Sequence, residues 1–186
     1  MDIIKENKEE KQLERKIGSE AEFIVASVIL GILYYVAYFL KFPNTYMILV
    51  YAIFLTALIK DFNNEKGIDV LVYVIMFSII VMPLLTFVQG NVTIYLASSF
   101  VISMTALVFA IIGLRNMKKF GFYLTIILFG LSLVNTAYFM IPFFKNFTSF
   151  SPTFLIQLIR NLGSIALLVL SIIYLIKSRG YFKNGN

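Results

Sequence analysis

Six long apolar runs, separated by short polar stretches, organise the chain. They fall near residues 23–40, 45–60, 69–88, 92–114, 120–144 and 153–176. Each is about long enough for an α-helix to cross a hydrocarbon core of roughly 30 Å, the second being the shortest. Periodicity inside the runs is weak, as expected of helices that meet lipid on one side and other helices on the next. The alternation over about ten residues that a membrane β-barrel strand requires is missing. The pattern predicts an all-α, polytopic integral membrane protein with six transmembrane helices in one bundle.

The polar stretches carry the orientation. Residues 1–22 mix five basic residues (Lys5, Lys8, Lys11, Arg15, Lys16) with seven acidic ones, which reads as a solvated, partly helical leader. It is too long and too acidic for a signal-peptide n-region, and no small-x-small cleavage site follows, so the first run is expected to stay as a span. The second loop has Lys60 and Lys66, the fourth Arg115, Lys118 and Lys119, and the tail at 177–186 has Lys177, Arg179 and Lys183. The other side has only Lys41 and Lys145. The positive-inside rule then places both termini in the cytoplasm of a multi-pass cell (plasma) membrane protein.

Composition sharpens this picture. The chain is 60% hydrophobic and 14% charged, with a mean hydropathy of +0.87. Soluble domains average about 45–50% apolar and about 25% charged, so lipid is the expected solvent. Cysteine, histidine and tryptophan are absent. That excludes disulfides, thiolate or imidazole metal sites and Cys- or His-based catalysis, and no cofactor is implied. The net charge of +6 comes from Lys and Arg at the ends of apolar runs, so it anchors spans and does not point to nucleic acid. Richness in Ile, Phe, Tyr, Asn and Lys suggests an AT-rich bacterial genome.

Chemistry is sparse. All ten carboxylates lie at or before Asp69, and none is in the core of a span. Ion-coupled transporters and intramembrane proteases usually depend on buried Asp, Glu or His, so a non-enzymatic role is expected. One charge lies inside a run: Arg160, flanked by Gln157 and Asn161. Asn135 and Ser99 sit at about the same depth in the fifth and fourth runs, which puts polar groups from three segments in one layer of the outer half. The structural reading is that Arg160 snorkels outward, or ties the fifth and sixth helices together through Asn135. The functional reading is an outward pocket in which Arg160 meets a carboxylate or phosphate, with Asn135 and Gln157 orienting it.

Small residues at Ser99, Ser103, Ala106 and Ala110, and at Ser27 with Gly31, read as packing stripes. Phe143, Phe144, Phe147, Phe150 and Phe154 surround the lone Lys145 after the fifth run. They form either an interfacial belt or a docking face for another membrane protein or an extracellular peptide. The function expected first is therefore a bacterial accessory or immunity-type protein that binds a protein partner in or at the outer face of the membrane. The alternative is a small-solute binding or transport subunit with its pocket around Arg160. Size and span count resemble both small bacterial immunity proteins and the substrate-binding subunits of bacterial vitamin uptake systems, as architecture only.

Overall fold

Local chemistry at the helix ends sets how the helices stack. The computed structural model describes residues 22, 24–87, 94–145 and 151–182. They form α1 (Ile24–Phe39), α2 (Pro43–Lys60), α3 (Lys66–Phe87), α4 (Ile94–Arg115), α5 (Lys119–Lys145) and α6 (Pro152–Lys177), followed by a 3₁₀ turn at Ser178–Tyr181. Among the described residues there is no strand. Each helix coincides with an apolar run to within three residues at either end. Pro43–Lys60, Lys119–Ile141 and Pro152–Tyr181 are long and apolar enough to cross a membrane.

Pro43 and Pro152 start α2 and α6, where the first turn has no use for the N–H that proline lacks. Ser151 caps α6 by accepting the Phe154 N–H at 3.1 Å. The α1 and α4 ends are both Schellman motifs built on a non-glycine residue. Lys41 (φ 63°) and Met117 (φ 49°) occupy the left-handed region. The Lys41 N–H donates to the Tyr38 carbonyl at 3.1 Å and the Phe42 N–H to Ala37 at 2.9 Å. The Met117 N–H donates to Leu114 at 3.0 Å and the Lys118 N–H to Gly113 at 2.9 Å, the same 5→2 and 6→1 pattern. These tight reversals make α1/α2 and α4/α5 antiparallel neighbours.

Five helices close a ring. α2 packs on α6, α6 on α5, α5 on α4, α4 on α3, and α3 back on α2. α3 supplies the largest share of the core among the described residues, with Ile68, Leu71, Val72 and Ile75 essentially inaccessible. α1 lies against this ring along one stripe, Ser27, Gly31, Tyr34 and Ala37, spaced three and four residues apart and all buried. Gly31 abuts the Ile80 side chain of α3 so closely that a Cβ there would collide with it. Across the α1/α2 contact, the Tyr46 hydroxyl donates to the Leu30 carbonyl at 2.6 Å.

The outward faces are apolar: Ile102, Leu131, Val134 and Ile176 are all more than half exposed. Water would not tolerate such a surface, whereas lipid is as apolar as leucine and imposes no cost. Packing, not transfer from water, therefore has to hold the helices together. At the end where α2 turns into α3 the contacts are dense. The Tyr174 hydroxyl donates to the Asn64 carbonyl at 2.6 Å, and Lys177 donates to the Asn63 amide oxygen while lying 4.7 Å over the Phe62 ring. Phe182, beyond the last helix, folds back to stack 5.3 Å from Phe122.

Candidate functional site

The ring of five helices does not fill its own centre. It encloses a cavity of about 540 Å³ to which α2, α3, α4, α5 and α6 all contribute. Most of the wall is apolar, including Phe54, Phe77, Leu107 and Leu167. Two of the polar lining groups are occupied by their own helices: Ser78 donates to the Val74 carbonyl and Thr136 to the Ser132 carbonyl, both at 2.8 Å. Ser103, Ser132 and Asn135 face the cavity without a hydrogen bond among the described residues. The mouth is on the α5 side, where Leu131, Ser132 and Asn135 stay exposed.

Arg160 stands just beyond this space, toward the start of α6. The guanidinium donates through NH1 to the Asn44 amide oxygen at 2.8 Å. Through Nε and NH2 it donates to the Asn161 amide oxygen at 3.1 and 2.7 Å. Asn44 belongs to the first turn of α2, so the bridge joins α6 to α2. Met47 and Tyr51, the next two turns of α2, line the cavity, as does Ser164 one turn along α6 from Arg160. The bridge thus caps the α2/α6 seam of the cavity. The phenols of Tyr34 and Tyr51 both lie within electrostatic range of the guanidinium.

Among the described residues the charge has no acidic counterpart nearby. The described carboxylates, Glu22, Asp61, Glu65 and Asp69, sit at the start of α1 or around the α2–α3 turn, the opposite end of the helices. Segments 88–93 and 146–150 contain no Asp or Glu in their sequence. Two amide oxygens orient the guanidinium but do not neutralise it, and two of its five N–H groups have no acceptor among the described residues.

The layer expected from sequence divides in two. Arg160 and Asn161 come together with Asn44, whereas Asn135 belongs to the cavity wall and makes no bond to Arg160. Gln157, one turn nearer the start of α6 than Arg160, is half-buried without a hydrogen bond among the described residues. The side chain of Ser99 lies outside the described residues. Of the aromatic group, Phe144 is exposed at the end of α5 and Phe154 is half-buried in the first turn of α6. The side chain of Phe143, and Phe147 and Phe150, lie outside the described residues.

Sequence reasoning missed Asn44 because it read Phe42-Pro43-Asn44 as loop. The proline was the available signal: placed at the first helical position, it moves the start of α2 outward and brings Asn44 into the helix. No protein family, curated protein or solved structure matches the chain.

Proposed function

We propose that the chain is a six-span protein of the cell membrane, with both termini in the cytoplasm, that binds a small, largely apolar solute at the centre of its helix ring without enzymatic chemistry. The single observation that carries this reading is the cavity of about 540 Å³, walled by five helices. Small-molecule sites are typically about 300–1,000 Å³, mostly apolar, with a few polar groups that set orientation. Ser103, Ser132 and Asn135, facing the cavity unbonded, fit that role. The six-span topology is supported by the tight reversals between neighbouring helices. They gather Lys60, Lys66, Arg115, Lys118, Lys119, Lys177 and Arg179 at one end. With no carboxylate in the core of a span, the protein has no evident proton- or sodium-coupling group, and any uptake it serves is passive or driven by a partner.

Ser132→Phe fills the cavity from the α5 wall. Native mass spectrometry of the detergent-released protein is expected to show a bound small molecule that this variant lacks, with helix content unchanged by circular dichroism. Equal occupancy in both proteins would count against the reading.

A second reading keeps the accessory or immunity-type role, with a protein partner at the outer face. It is favoured by Tyr138, Phe139 and Phe144, all more than half exposed on the outer part of α5. Replacing residues 143–150 by a Gly/Ser linker then removes a stoichiometric co-purifying protein; unchanged co-purification speaks against it.

A further inference from the structure

We infer that the solute is an amphiphile with one anionic head, its carboxylate or phosphate received by Arg160 between Asn44 and Asn161 and its apolar part lying in the cavity. This rests on the cavity reading above and adds the chemical class of the ligand.

Three observations converge. The guanidinium sits one helical turn outward of the cavity wall on both sides of the seam, above Met47 on α2 and above Ser164 on α6. Arg160 is about 12 Å from the outer start of α6, well below the headgroup level if α6 spans the bilayer. A cation at that depth is costly and ordinarily finds an anion, water or a cavity. Among the described residues no carboxylate is placed to serve, since Glu22, Asp61, Glu65 and Asp69 all lie at the opposite end of the helices. The two amides hold the guanidinium from the side through three of its N–H groups, and the remaining two, without an acceptor among the described residues, suit an oxyanion. The apolar cavity below accepts no charge, so head and tail are sorted by the site itself.

The absence of cysteine permits a site-resolved test. A single cysteine at Ser164 is labelled by a small maleimide in the full-length protein in neutral detergent, while palmitate, methyl palmitate or phosphatidylglycerol is titrated in. Palmitate is expected to slow labelling at a concentration at least about tenfold below that of methyl palmitate, as one charge-assisted contact provides. Arg160→Gln should erase that difference and leave protection by methyl palmitate unchanged; Arg160→Lys, which keeps the charge, should retain most of it. Stronger protection by phosphatidylglycerol than by palmitate supports the same anionic head and assigns it to a membrane lipid. Equal protection by palmitate and methyl palmitate overturns the head assignment while leaving the cavity reading intact. No protection by any of the three overturns both. Should Arg160→Gln fail to fold, the comparison of acid and ester in the unaltered site decides alone.

Discussion

Ser171 is buried on α6, and its hydroxyl has no hydrogen bond among the described residues. Several hydroxyls of the helices avoid this by bonding their own backbone: Thr125 donates to the Gly121 carbonyl at 2.7 Å, and Thr105 to Val101 at 2.8 Å. Ser171→Ala removes an unsatisfied group at nearly constant shape, so it is expected to stabilise the protein by about 1 kcal/mol, read as a raised midpoint in denaturant unfolding. Met117 is strained in a different way, since its left-handed backbone crowds its Cβ against its own carbonyl. Met117→Gly keeps the Schellman hydrogen bonds and is expected to gain up to about 1 kcal/mol in the same measurement. Neither residue is conspicuous in the sequence, because burial and φ depend on partners that local pattern does not name.

At the scale of elements, α4 and α5 approach each other closely. Gly113 and Gly121 face each other across the turn, and a Cβ on either would run into the backbone of the other. The helices therefore touch main chain to main chain at this end, the contact that packing in lipid favours. Gly121→Leu is expected to force the pair apart and to destabilise the bundle by roughly 3 kcal/mol, seen as early thermal aggregation in detergent. Gly130→Ala is the control: nothing lies within 4 Å of its Cβ position, and helix propensity alone gives a change within about 1 kcal/mol.

The helices themselves were legible in the sequence, because length and hydropathy report the solvent directly. So was part of the packing: the Ser27/Gly31 stripe is the face with which α1 meets α3, and Ala110 of the longer stripe is buried. The Gly113/Gly121 contact was not, since it pairs residues of two helices whose rotation hydropathy does not determine.

At the scale of the whole molecule, the same gap explains the site. Arg160 was visible as the one charge inside a run, and Asn135 as a polar group at similar depth. Depth follows from counting residues; neighbourhood does not. Closing the ring as α2–α6–α5–α4–α3 puts Asn44, distant in sequence, against Arg160, and turns Asn135 toward the cavity instead. The central claim is that this ring holds a cavity entered from its α5 side, and aqueous accessibility tests it most directly. Single cysteines at Ser132, Asn135 and Ser164 on the cavity wall, and at Val134 and Leu162 on the outward apolar face, are treated in intact cells with a membrane-impermeant thiol reagent. Lys41 and Lys118 positions serve as outer and inner references. Labelling at the three cavity positions, with Val134, Leu162 and Lys118 silent, is the expected result. Silence at all three while Lys41 reacts would contradict it.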